Sequence, residues 1–339
     1  MKHPLNVNGR ILVFDIIKLF AIYLVIWGHC IQHLQNYLFD PWDNPLYRWI
    51  SSFHMPLFMM ISGFFSARIG LSFKEYALKK FRQLVLPALT FGVVFVISWH
   101  FATGGGVLAQ YVKCYWFLKS AFICSILYFI AEKCGNKVLG YVLTLFISLF
   151  VTSYSVNWMY PSFLMGVSLC RHKEWLMNHS LRIFVVTGII FAAMFSIWDM
   201  DMAKDAVLKW FSYFLSDSAG SLSRGLYCFF FKVVMGIAGG LAVVSLFLAL
   251  SRKMTVNRFG VLMGKWGTMT LGIYLCQALV LEHWMMTTID LSGMEYYMFN
   301  YLVSPLISIG VLVVCVFLTE LLKSGRWLSF IFLGVPMKK

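Results

Sequence analysis

Residues 15 to 29 read DIIKLFAIYLVIWGH. Inside an otherwise apolar run stand Lys18 and His29, with ten residues between them, and Asp15 just before. An ionisable side chain at the centre of a membrane segment costs roughly 2.5–3.5 kcal/mol, so several together mark a functional site. Eleven steps of about 100° return to nearly the same face of an α-helix, with a rise of about 16.5 Å. Lys18 and His29 therefore line one stripe, three turns apart. His33 continues the stripe a turn further, and Asp15 lies at i−3 from Lys18, where the two can pair. Imidazole is the side chain best suited to accept a proton near neutral pH. That suits removing a proton from a hydroxyl, or accepting an acyl group outright. A lone buried histidine also fits a plainer role, a hydrogen bond between helices. The cation on the same face favours chemistry.

The rest of the chain must supply a membrane-embedded frame for that helix. Of 339 residues, 60% are hydrophobic and only 12% charged, and the mean hydropathy is +0.77. A soluble domain carries about 25% charged residues. Long apolar runs recur along the whole length, and no polar stretch is long enough for a separate soluble domain. The composition predicts an all-α polytopic membrane protein, one bundle over residues 1–339. The net charge of +14 reads first as the positive-inside bias of a membrane protein. No basic motif interleaved with aromatics is visible, so nucleic acid is set aside as a partner. The eight cysteines form no CxxC or other metal-ligand spacing, and most lie in apolar runs. Neither a disulfide framework nor a metal site is expected. No small-x-small cleavage site comes after the first apolar run, so no cleavable leader is expected.

A helix needs about 20 mostly apolar residues to cross the hydrocarbon core. Ten spans are predicted: 11–33, 47–66, 83–101, 114–131, 138–153, 157–170, 182–198, 226–250, 262–281 and 298–322. The fifth and sixth are short, and the TSYSVNWMYPS between them fits a re-entrant turn. The final WLSFIFLGVP is too short to span and suits the interface. With the N-terminus inside, twenty of the 28 basic residues fall in inner segments and five in outer ones. That asymmetry predicts both termini in the cytoplasm and an even number of spans, in the cytoplasmic membrane. Lys18, Lys119 and Lys232 fall within spans. The longest outer loop runs over about 199–224.

Taken in order, seven segments resemble the acyltransferase-3 family of integral-membrane O-acyltransferases. Lys18 and His29 fill a first-helix signature of Arg or Lys, ten residues, then His. FHMPLFMMISGFF (53–65) resembles the second helix, and KKFRQLVLP (79–87) supplies a basic pair as Lys79 and Arg82. YWFLKS (115–120), YPSFLMGVSL (160–169) and LGIYLCQ (271–277) resemble further elements, although Gln277 stands where His is usual. FIFLG near the C-terminus resembles the branch that includes fucose 4-O-acetylase-like proteins. The resemblance covers nearly the whole chain. It implies ten core helices and transfer of an acyl group, usually acetyl, from cytoplasmic acyl-CoA to a sugar hydroxyl on a surface or exported glycan or glycolipid. It implies catalytic roles for Lys18 and His29, and places Lys79 and Arg82 at acyl-CoA binding or catalysis. Lys80 adjoins that pair at the entry to the third span. Acyl-CoA is then a substrate, and no permanently bound cofactor is expected.

Other residues carry two readings each. His54, near the outer end of the second span, fits an acceptor channel or a helix-end contact. Trp116 can stack on a sugar face or sit at the membrane interface. Tyr274 and Gln277 can donate hydrogen bonds into a cavity, but no proton transfer is assigned to Gln277. Ser62 and Gly63 suit close helix packing. TGGGV (103–107) lacks the GK[ST] of a phosphate loop. The competing function is a transporter or flippase for a polar lipid, which also needs buried ionisable groups. Absent repeat symmetry counts against it.

Overall fold

In lipid, every backbone N–H and C=O must find its partner within the chain, and helices are the way this sequence does so. A computed structural model describes residues 6–7, 10–35, 40–103, 107–206, 219–252 and 257–336. Apart from a two-residue antiparallel pairing of Asn6–Val7 with Arg10–Ile11, the regular structure among these residues is helical. The helices are α1 (Leu12–His33), α2 (Pro45–Ser66), α3 (Phe73–Lys80), α4 (Leu86–Thr103), α5 (Val107–Lys113), α6 (Trp116–Lys133), α7 (Lys137–Phe150) and α8 (Val156–Arg171). Then come α9 (Lys173–Ile197), α10 (Met200–Asp205), α11 (Ala219–Ser251), α12 (Arg258–Gly267), α13 (Thr270–Leu279), α14 (Ser304–Ser324) and α15 (Arg326–Leu333). Residues 104–106 of TGGGV and 207–218 of the predicted outer loop lie outside the described residues.

Five helical stretches among the described residues are long and apolar enough to cross a membrane: Leu12–His33, Phe73–Ser98, Lys173–Ile197, Leu222–Ser251 and Tyr296–Ser324. The chain is thus a multi-pass membrane protein. Helices lie in each of the ten predicted segments, but 262–281 is split at Thr268–Met269 between α12 and α13, and α7 and α8 have only 14 and 16 residues. The predicted turn between these two is a short 3-10 element, Ser153–Ser155, with Tyr154 and Ser155 at positive φ. That left-handed pair turns the chain sharply enough to start α8 within a few residues of the end of α7.

Packing divides the chain into two compact units. Unit 1 comprises Met1–Ser51, Lys74–Lys119 and Thr255–Lys339, and unit 2 comprises Ser52–Phe73 and Ser120–Met254. In unit 1, α1 is the most enclosed of the five candidate spans, with 67% of its most apolar window buried. It packs against α12, α13 and α14. Trp27 Nε1 donates to Ser304 Oγ at 2.8 Å and Tyr23 OH to the Pro305 carbonyl at 3.4 Å, fixing α1 against the start of α14. In unit 2, α11 packs along α9 and also meets α8. Here Gly63 and Gly166 lie back to back. A Cβ on Gly63 would fall 1.9 Å from the Phe163 carbonyl oxygen, and one on Gly166 would fall 1.8 Å from that of Met60. The packing role expected of Gly63 is therefore what α2 and α8 require: the two backbones touch, and only glycine fits.

Candidate active site

The site is built on the C-terminal half of α1. His29 Nδ1 lies 3.7 Å from Glu282 Oε1, close enough for an ion pair and too long for a direct hydrogen bond. The two side chains are 28% and 22% exposed, so the pair is sheltered without being sealed. His33, one turn on, stacks on His29 with ring centroids 5.6 Å apart and planes 6° from parallel. Glu282 sits in a π-helical turn, Val280–Met285, that continues α13. The extra residue in such a turn rotates the next stretch of helix about its axis, and π turns recur at functional sites. By hydropathy Glu282 falls just past the end of a predicted span, among outer-loop acids. A carboxylate followed by histidine within ALVLEHWMM was the available signal.

Three turns down α1, Lys18 Nζ lies 2.5 Å from Asp15 Oδ1. Asp15 is buried, and the carbonyl oxygen of its backbone would be 1.8 Å from a Cβ on Gly267. A small residue at the end of α12 thus lets α12 press against the turn of α1 that carries the pair. Lys119 and Lys232, the other lysines within predicted spans, have different tasks. Lys119 Nζ donates to the carbonyls of Tyr111, Val112 and Cys114 at 3.1, 3.0 and 2.9 Å, capping the end of α5. Lys232 Nζ lies 4.3 Å from the centre of the Trp158 ring, a cation–π contact.

Lys79 and Lys80 end α3, and Arg82 comes next in a second π-helical turn, Phe81–Val85. Lys79 is exposed, and Lys80 lies over the Tyr76 ring at 5.6 Å. Arg82 is partly buried, and its Nε has no hydrogen-bond partner among the described residues. The carbonyl of Arg82 meets Gly334, which closes α15 at φ +64° and leaves 2.1 Å for a Cβ. The FIFLG segment therefore buttresses the basic turn.

Aromatic contacts join two of the remaining motif segments, YWFLKS and LGIYLCQ. The Tyr274 ring lies edge-on to Tyr115 at 6.0 Å and to Phe117 at 6.1 Å, and Trp116 packs on Phe117. Tyr115, at φ 52°, donates its hydroxyl to the Leu275 carbonyl at 3.0 Å. Phe95 links Tyr115 to His283, the neighbour of Glu282, with centroids 5.9 and 4.6 Å apart. Gln277 is buried, and its Oε1 has no partner among the described residues. Lys18, His29, Lys79, Lys80, Arg82, Trp116, Tyr274 and Gln277 thus all belong to unit 1, although they come from separate stretches of sequence. His54 belongs to unit 2, half-buried on α2.

An acyltransferase-domain family model matches residues 11–320. The chain belongs to the acyltransferase-3 family. Two relatives are both described as nodulation protein NolL. The one from Mesorhizobium japonicum is 36% identical over 136 residues, 37% of this chain and 36% of the relative. The one from Sinorhizobium fredii is 28% identical over 197 residues, 52% of this chain and 53% of the relative. The chain thus spans between about a third and about half the length of these relatives. No solved structure matches it. Within this acyltransferase-3 chain, His29, His33 and Glu282 offer ligand atoms within 4.8 Å of one another, a two-histidine, one-carboxylate set. The sequence pattern does not lead one to expect it.

Proposed function

We propose that this chain is a membrane O-acyltransferase, acting as an O-acetyltransferase, that moves an acyl group from cytoplasmic acyl-CoA to a sugar hydroxyl on a surface or exported glycan or glycolipid. The observation that carries this reading is the pairing of His29 with Glu282 in an acyltransferase-3 chain, on the same helix stripe as Lys18. With Nδ1 turned to the carboxylate, Nε2 is assigned the proton transfer. It takes the proton of the acceptor hydroxyl as that oxygen bonds to the thioester carbonyl carbon. The C–S bond then breaks, and the departing CoA sulfur takes the proton from the imidazolium. Glu282 stabilises the imidazolium in between. Lys18, about 16.5 Å from His29 along α1, is assigned to steadying the acyl-CoA donor along its pantetheine arm and not to the reacting carbonyl.

Lys79, Lys80 and Arg82 are assigned to the CoA phosphates. Arg82 suits forked pairing with phosphate, and lysine acts as a point charge. Trp116, Tyr274 and Gln277 of unit 1 are assigned to the acceptor side. The whole of 1–339 acts as one membrane-embedded domain, because the two units interleave in sequence and neither can be cut away. The charge asymmetry supports ten spans in the cytoplasmic membrane with both termini inside.

The test is His29→Ala in proteoliposomes supplied with radiolabelled acetyl-CoA and an acceptor glycan extract. Insertion should be normal and transfer lost. Near-normal turnover by the variant would end the assignment. Quenching wild type with acid and finding label on the protein would replace direct transfer by an acyl-histidine step. Movement of the glycan without acylation would favour the flippase reading.

A further inference from the structure

Unit 2 holds a cleft of about 770 Å³ between α8 and α9, with Leu241 of α11 on its wall. Its lining along α9 keeps to one stripe: His172 at the turn before the helix, then Trp175, His179, Arg182 and Val186. The spacings of three, four, three and four residues keep these side chains on a single face. Polarity along the stripe is graded. The first ten residues of α9, KEWLMNHSLR, are polar or amphipathic, and the run IFVVTGIIFAAMF begins directly after Arg182. Arg182 therefore sits where headgroups give way to hydrocarbon. Only 6% of the most apolar window of α9 is buried within the protein, so this helix offers its surface to lipid.

The charge in the cleft has one sign. Its lining includes Arg182, His172 and His179 but no carboxylate. Glu174 is exposed nearby and is not part of the lining. A guanidinium is a forked donor to phosphate oxygens. Trp175 and His179, with ring centroids 5.2 Å apart, give the rim an amphipathic pair of the kind that settles among headgroups. Below Arg182 the walls are Ile183, Val186, Thr187 and Leu241, apolar apart from the Thr187 hydroxyl, which donates to the Ile183 carbonyl at 2.7 Å. Basic pockets between helices on the cytoplasmic side recur as anionic-lipid sites, and the orientation proposed above puts this edge in that leaflet.

We infer that the α8–α9 cleft binds one anionic glycerophospholipid, its headgroup phosphate on Arg182 and an acyl tail running past Val186 and Leu241. This site is independent of His29 and of acyl transfer.

The test uses the full chain in mixed micelles containing phosphatidylglycerol and phosphatidylcholine in equal amounts, with retained lipid counted by native mass spectrometry. Wild type should keep one phosphatidylglycerol at least five-fold over phosphatidylcholine. Arg182→Gln should cut that retention about five-fold, the loss expected for one basic contact near a surface, and Arg182→Lys should restore much of it. Val186→Trp leaves the charge in place and fills the tail groove, and should reduce both lipids. Arg182 and Val186 are exposed, so neither change disturbs the core. Equal retention of the two lipids would overturn the proposal. So would unchanged phosphatidylglycerol binding in both Arg182→Gln and Val186→Trp. Displacement of the lipid by stoichiometric acetyl-CoA would overturn it too, and would reassign the cleft to the donor.

Discussion

Replacing Glu282 by Gln keeps the size and polarity of the side chain and removes its charge, so it isolates the electrostatic part of the site. A full negative charge 3.7 Å from a newly formed imidazolium is worth about 4 kcal/mol at an effective dielectric of about 20, and about 1 kcal/mol in water. With His29 and Glu282 28% and 22% exposed, the pair lies between those limits, at about 2–3 kcal/mol. If the imidazolium forms in the transition state, that energy is realised only there. It should then appear in kcat, as a loss of roughly 30- to 150-fold. Acyl-CoA KM should hardly move, because Glu282 is not assigned to the donor. The assay is steady-state transfer from labelled acetyl-CoA in proteoliposomes, with protein amount and insertion matched to wild type. A double variant adds a second check. Once His29 is alanine, Glu282→Gln should cost little of the residual rate, since the two act as one unit. A kcat for Glu282→Gln within two-fold of wild type would refute the pairing. So would a full, additive loss in the His29→Ala background, because Glu282 would then be acting on something else.

Lys18→Ala should lower both transfer and thermal stability, because it leaves the buried Asp15 charge without the lysine; adding Asp15→Asn should recover the melting temperature in detergent but not the transfer rate. Gly334→Ala forces a left-handed position and a Cβ against the Arg82 carbonyl, a strain of about 1–3 kcal/mol. Acyl-CoA KM should rise several-fold with kcat less affected, and equal changes in both would separate Arg82 from donor binding. Incubation with EDTA and then gel filtration should leave transfer intact if His29 works as a base. Activity lost on that treatment and restored by zinc would make His29, His33 and Glu282 metal ligands instead.

The α1 stripe was legible because two physical rules meet there. Ionisable groups are expensive in a lipid-facing run, and a period of 3.6 residues puts residues eleven apart on one face. The Asp15–Lys18 pair could be read from i, i+3 spacing, and the packing glycine at 63 from the small residues beside it. Glu282 was not legible. Hydropathy ends the predicted span at 281 and leaves the next residue in a loop, and only the π turn shows that the helix goes on and turns its carboxylate to His29. The buttress between Gly334 and Arg82 joins residues about 250 positions apart and leaves no local pattern. Nor does sequence reveal two units whose segments alternate along the chain.

The three lysines within predicted spans show why partner geometry decides what composition leaves open. By hydropathy alone, Lys18, Lys119 and Lys232 are equally costly in lipid, and only the spacing to His29 singles out Lys18 in the sequence. The structure gives Lys119 three carbonyls at a helix end, which uses all three of its N–H donors, and that is a structural task. Lys232 rests on an aromatic face in unit 2. Lys18 alone of the three shares a helix stripe with His29, and its carboxylate partner, three residues before it, is held by the close approach of α12. Asp15 can therefore aim the ammonium without leaving the helix that carries His29. One rigid rod then fixes the separation of cation and imidazole at about 16.5 Å along its axis, a register that neither of the other lysines could keep with His29. The role proposed for Lys18 thus rests on where its helix and its carboxylate hold it, and not on its charge alone.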